Sequence, residues 1–372
     1  MKLRVFNEFN DELKHIWKSL ESESNSFPFQ AYEWQRYWNE HVGQPKYKMN
    51  LCIVVCSYEN KIRAIFPFGI KTIMFSRVLT FLGEDEADYS APLISSYLSS
   101  DEFKKFLPKV FKIVPPHDAI YFKNIPKLIN KSENFLLKNI SSKETGYAYS
   151  IKLPSSFEDY AIRLSKSMLK DNKRMIRRLS EIGELKFNVL TQSDDFKSIL
   201  KEMILQKENR YKLSGARNIF NDSSVKNFYT NIHDLLDDGL FKIHLSSLSL
   251  NNVVLATHLG IHYKDQFYYL MPTFNDDLKW SKFSLGRIHL EKLINWTIDN
   301  KINKFDFTIG AEAYKSIWCD EEMAIYTHLK INNLRGIGFY AYFQIIKLIK
   351  SNSFLKTIAV KLLSIRYSLK AK

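Results

Sequence analysis

The chain has 372 residues, which at about 150 residues per domain points to two domains. Apolar residues make up 45% and charged residues 25%, with only 12 Gly and 10 Pro, so collagen-like and broadly disordered chains are excluded. The net charge of +14 suggests an anionic partner, but it is concentrated in two segments, residues 335–372 without a single acid and residues 163–178 with seven basic residues against Asp171, which disfavours a wholly basic nucleic-acid coat.

In chain order, the N-terminus turns acidic before any apolar stretch long enough for a signal peptide develops. Periodicity then predicts helices over Phe9–Leu20 and Ala31–Val42 and strands over Asn50–Tyr58, Lys61–Phe68, Val78–Leu82 and Ala91–Ile94, with Tyr58-Glu-Asn60 as a hairpin turn. Cys52 and Cys56 fall on one face of the first of these strands and read as inert core thiols; with Cys319 they make an odd count, which fits a reducing compartment rather than a disulfide framework. A helix over Glu102–Lys112, strands over Ala119–Phe122 and Tyr147–Leu153, and an amphipathic stretch near Asn134–Asn139 complete the first half.

The second half repeats the plan. Helices are expected over Phe157–Glu181, Asp194–Tyr211 and Ser224–Asp237. Strands follow over Phe241–Leu248, Val253–His262 and Gln266–Pro272, the first two joined by Leu250-Asn-Asn252. A helix over Leu285–Ile298, a strand over Lys304–Thr308, a short helix near Glu312–Ile317 and a strand over Ile325–Ile331 close it. The expected class is α/β (α+β), two tandem domains of similar topology with mixed, largely antiparallel sheets: residues 1–154, residues 155–333, and a basic tail over 334–372.

No HExxH, GxSxG, P-loop or GxGxxG pattern occurs, and His258 and His262 lie in a strand-like segment, so no metal site is expected and triad hydrolases, nucleotide triphosphatases and dinucleotide enzymes lose their usual support. Ser284 reads as the cap of a helix whose N-terminus, with Lys282, Leu285, Gly286 and Arg287, would suit a phosphate-bearing ligand. The basic helix around Arg163–Arg178 could hold an anion in the same way.

Several stretches together resemble the acetyltransferase-like family associated with bacterial cellulose and exopolysaccharide biosynthesis (CelD-type), a GNAT branch akin to the Fem peptidyltransferases with paired GNAT-like domains. They are Phe29-Gln-Ala-Tyr-Glu-Trp34 with Tyr37-Trp38; Phe81-Leu-Gly83 with Asp88-Tyr89; Leu164-Ser-Lys166 with Lys173-Arg174 and Arg177-Arg178; Phe274 through Ser284-Leu-Gly286; and Phe305-Asp-Phe307 through Gly310, Tyr314-Lys315 and Trp318. The resemblance implies acetyl-CoA or another acyl-CoA as co-substrate, bound by Lys282, Ser284, Leu285, Gly286 and Arg287. It implies acyl transfer to an amine or hydroxyl of a sugar or cell-envelope precursor, with polysaccharide biosynthesis machinery as a partner.

Asp306, Tyr314 and Glu312 are the candidate catalytic residues: the reaction needs a base for the acceptor and a proton donor for the leaving thiolate. Gln206, Arg210, Tyr211 and Lys315 are the candidate acceptor contacts, Arg210 through its planar fork. The pattern departs from the family at Ile309 and Ala311, where relatives commonly carry Arg and Asp, and Gly286 alone remains of the usual pyrophosphate loop. Two alternatives stay open: a Fem-like transferase taking its donor from aminoacyl-tRNA, and a non-catalytic partner of a polysaccharide synthase.

In the tail, Phe354, Ile358, Leu362, Ile365 and Leu369 form a helical stripe beside Lys356, Lys361, Arg366 and Lys370. This amphipathic helix predicts peripheral attachment to an anionic membrane surface through residues 335–372, on the inner face of the cytoplasmic membrane.

Overall fold

The computed structural model describes residues 2–190, 194–235, 239–310 and 312–351. Eleven strands form one large sheet: β1 (Asn50–Leu51), β2 (Phe68–Ile73), β3 (Ser76–Phe81), β4 (Ala119–Pro126), β5 (Lys143–Lys152), β6 (Leu185–Leu190), β7 (Phe241–Leu250), β8 (Val253–Tyr263), β9 (Gln266–Phe274), β10 (Lys304–Ile309) and β11 (Glu321–Ile331). Their spatial order is β6-β7-β8-β9-β10-β5-β11-β4-β3-β2-β1. A smaller sheet of Lys2–Phe6, Ile53–Tyr58, Lys61–Phe66 and Leu93–Ile94 serves the first half.

The order shows how the halves are joined. From one side, β2–β3 is antiparallel, β3–β4 parallel and β4–β11 antiparallel; from the other, β8–β9 is antiparallel, β9–β10 parallel and β10–β5 antiparallel. The central pair β5–β11 is antiparallel. Each half therefore sends its last strand between the last two strands of the other. The duplicated α/β plan expected from the sequence is the plan observed, and the exchange gives one continuous sheet.

Most expected elements are present, and the differences have local causes. Phe157–Glu181 is two helices, Phe157–Ala161 and Lys166–Ile182, because Ser165 caps the second by accepting from Met168 N. Lys61–Phe68 is split at Pro67, and the chain changes sheet there, so β2 is an additional strand. Strands Lys2–Phe6 and β6 were not anticipated: both lie at sheet edges, where the apolar alternation is diluted by charge. Cys52 and Cys56 are buried in one apolar cluster with Phe66 and Phe103, and burial pushes both thiols up to about 12.

Parallel pairing between β9 and β10 lasts only from Gln266/Lys304 to Tyr268/Asp306. Beyond it the pairing stops, and an opening lies between β9 and the N-terminal end of the Leu285–Asp299 helix. In the first half β3 and β4 pair only at Val78/Ala119 and Leu79/Ile120. That second opening is plugged by the chain itself: Ser90 N donates to Asn124 O at 2.9 Å, Asn124 Nδ2 to Ala87 O at 3.0 Å, and Lys71 holds Glu84 at 2.7 Å. About 10 Å³ remains there.

Candidate functional site

The opening in the second half holds a cavity of about 540 Å³. Tyr269, Pro272 and Phe274 of β9 form one wall, Leu285, Gly286, Arg287 and Leu290 of the helix another, and Tyr314 and Trp318 close the end. The helix N-terminus is open. Ser284 stands at the cap position, but its backbone is left-handed (φ 52°, ψ 46°) and its side chain makes no capping bond, contrary to the sequence expectation. Its carbonyl accepts from Arg287 N at 2.9 Å and Ile288 N at 3.2 Å, and no hydrogen bond is made by the amides of Leu285 and Gly286 among the described residues. Free amides at the positive end of a helix attract an anion or a carbonyl oxygen.

Two further features fit an elongated ligand. The indole Nε1–H of Trp280, a wall residue, is buried without an acceptor. A Cβ at Gly286 would stand 3.1 Å from the Phe274 ring, so glycine keeps the passage between helix and strand open. Outside the cavity, Lys170, Lys173, Arg174 and Arg177 of the Lys166–Ile182 helix flank a depression of about 530 Å³. Arg287 links the two: it pairs with Asp171 and its Nε donates to Asn172 Oδ1 at 2.5 Å. Its charge is thus matched within the protein rather than free.

Of the residues singled out from the sequence, Arg210, Ser284, Leu285, Gly286, Arg287 and Tyr314 meet at the cavity. The guanidinium of Arg210 lies 4.3 Å from the centre of the Phe274 ring, and burial raises the Tyr314 hydroxyl well above the ordinary phenol range, so it keeps its proton. Lys282 is exposed and sits over the Phe283 ring, away from the lining. Gln206 is buried under its helix, donating to Val254 O at 3.1 Å, and Tyr211 packs beside Lys207.

Asp306 lies on the other face of β10. Phe305 and Phe307 point toward Tyr269 and Leu290, while Asp306 accepts from the hydroxyl of Tyr89 in the first half. Strand alternation, read as bringing Asp306 to a cleft, turns it away from this one. Lys315 is buried and braces the loop after β10, donating to Ile309 O at 2.7 Å and pairing with exposed Glu312 at 3.1 Å. Gly310, at φ 133°, permits that closure. Ile309 packs against the shared core; Ala311 lies outside the described residues.

Two candidate residues escaped sequence reasoning. Half-buried Lys207 donates to Pro272 O at 3.3 Å on the cavity wall, and burial, with Arg210 adding repulsion, lowers its ammonium to about 8. Its i,i+3 relation to Arg210 was the available signal. Asp88 meets the Thr308 side chain where the halves join, and burial pushes its carboxyl up to about 6. Nothing local in the sequence turns it there. Burial lowers the imidazoles of His244 and His289 to about 3 and that of His258 well below its ordinary range, which favours their neutral forms, and His258 Nε2 accepts from the Leu270 amide.

Residues 166–316 match the family model for the acetyltransferase (GNAT) domain. The GNAT stretch contains the cavity walls from Met168 to Tyr314. Among solved structures, FemX superposes with a TM-score of 0.58 at 11% identity, covering 93% of this chain and all of that one. L-PGS from Bacillus licheniformis gives 0.54 at 10% identity, covering 94% and 99%. A conserved protein from Bacteroides thetaiotaomicron gives 0.53 at 9% identity, covering 89% and 100%. At these identities the likeness concerns the fold. No curated protein matches the chain.

Proposed function

We propose that the protein is an acyltransferase that moves an acyl group, acetyl in the simplest case, from acyl-CoA to an amine or hydroxyl of a sugar or cell-envelope precursor. The observation that carries this reading is the cavity between β9 and an uncapped helix N-terminus, closed at its end by Tyr314 and Trp318, with most of its lining inside the GNAT match. The cavity would hold the pantetheine arm and thioester, and Lys170, Lys173, Arg174 and Arg177 of the Lys166–Ile182 helix would face the phosphates of the nucleotide end. The acceptor nitrogen or oxygen attacks the thioester carbonyl, the carbon–sulfur bond breaks, and the acceptor's proton passes to a base while Tyr314 protonates the departing thiolate. Lys207, neutral in part near pH 8, is a base within reach of the same wall.

The resemblance to exopolysaccharide enzymes supports an acceptor in envelope or polysaccharide synthesis, and the acid-free segment 335–372 supports a cytoplasmic protein held at the inner membrane face. No helix among the described residues is long and apolar enough to cross a membrane. Thiol release from acetyl-CoA in the presence of amino sugars tests the reaction: Tyr314→Phe is expected to lower kcat at least about tenfold with little change in KM. Transfer from charged tRNA, with none from acetyl-CoA, would replace this reading with the Fem-like one. The basic groove of Lys170, Lys173, Arg174 and Arg177 is the feature that favours it.

A further inference from the structure

The β2–β3 hairpin turns through Met74 and Phe75, both left-handed at φ 47° and 67°. Two-residue turns of this kind favour Asn and Gly, since a bulky side chain at positive φ is strained. Other two-residue turns of the chain carry polar residues, Glu59-Asn60, Asn251-Asn252 and Lys264-Asp265. At 74–75 the chain instead places two large apolar side chains, and Phe75 is 91% exposed. Folding gains nothing from this choice.

The tip has neighbours of the same character. Ser76 Oγ donates to Arg335 O at 2.6 Å and accepts from Phe339 N at 3.2 Å, which fixes the Gly336–Ser351 helix beside the hairpin. Phe339 and Phe343 dock inward on Tyr121. Leu334, at 84% exposure, and exposed Ile337, Ile345 and Leu348 face outward at helical spacing. Large apolar side chains exposed both at a turn tip and on the helix pinned beside it are characteristic of interaction surfaces.

We propose that the Met74–Phe75 tip and the outward stripe of the Gly336–Ser351 helix insert into the interface of an anionic phospholipid membrane. Charge selects this occupant. The described residues 335–351 carry Arg335, Lys347 and Lys350 and no acid, so a second copy seated on this helix would set like charges against each other, whereas an anionic surface complements them. Isolated apolar side chains flanked by basic residues are what an interface accepts. The proposal deepens the peripheral location proposed above and rests on it for the sign of the charge, but it does not depend on acyl transfer.

Flotation of the full chain with vesicles of phosphatidylglycerol and phosphatidylcholine, without substrate, provides the test. The double variant Met74→Asn, Phe75→Gly is expected to melt at a higher temperature, because turn strain is relieved, yet to partition at least about tenfold more weakly. In a second protein, Phe75→Trp, indole emission should shift to the blue on adding phosphatidylglycerol vesicles and much less with phosphatidylcholine alone. Unchanged flotation of the double variant would overturn the proposal. So would F75W emission that is already blue-shifted and insensitive to vesicles, which would mean that a second copy or the chain's own C-terminal segment covers the tip.

Discussion

Both hydrogen bonds to Asp306 land on Oδ1, from the Tyr89 hydroxyl at 2.8 Å and from the Thr308 amide at 2.8 Å. An asparagine keeps that oxygen and an alanine does not. Asp306→Asn should therefore stay within about 1 kcal/mol of the native stability and retain most activity, whereas Asp306→Ala strands two buried donors and should cost about 2–4 kcal/mol. Urea unfolding of both variants, with kcat for the first, measures this; a folded D306N protein without activity would restore Asp306 as a base. Glu86 offers a pH test. Buried around the Trp38 indole N–H, it is pushed up to about 7, as Asp88 is to about 6. Between about pH 4.5 and 7 the folded chain keeps protons that the unfolded chain releases, so these groups lower stability as pH rises through that window. Glu86→Gln should flatten this dependence and add up to about 3 kcal/mol at pH 8. Thermal melts from pH 4.5 to 8 would show it. At this scale the sequence was legible for the meeting of Arg210, Gly286 and Tyr314 at one cavity. It marked Asp88 only as part of a matching stretch, without a role, and was misleading on Asp306, for both have partners from the other half of the chain.

Among elements, the Leu285–Asp299 helix was legible nearly to the residue from its apolar period, but its N-terminus was not. Serine at a cap position normally lies in extended backbone and bonds an amide, and only the constraint of the preceding turn Leu278–Phe283 forces Ser284 to the left-handed region. Ser284→Gly should therefore stabilise the protein by about 0.5–1 kcal/mol, where loss of a working cap would destabilise it. A lower melting temperature for S284G would show that the hydroxyl caps after all. Strands were legible where they alternate in the interior and missed at edges, because an edge strand is defined by a neighbour on one side only. The short parallel contact of β9 with β10 has no signature in either strand alone.

For the whole molecule, the repeated order of helices, hairpins and strands made two similar halves readable, while the exchange between them was not. It depends on β5 pairing with both β10 and β11, roughly 150 to 185 residues later in the chain. Neither fragment cut at 154/155 should fold alone, since β5 would leave β10 and β11 with unpaired edges. Fragments 1–154 and 155–372 expressed together should recover one cooperative unfolding transition. An independently folded 155–372 fragment, seen as dispersed amide resonances, would refute that. The same architecture leaves one of two related openings free and plugs the other, so the proposed reading assigns one donor site to each chain. Calorimetric titration with coenzyme A tests that claim most directly. The account predicts saturable binding of one coenzyme A per chain, abolished by Gly286→Val, whose branched side chain closes the passage at Phe274. No heat of binding from coenzyme A, or equal affinity in G286V, would contradict it.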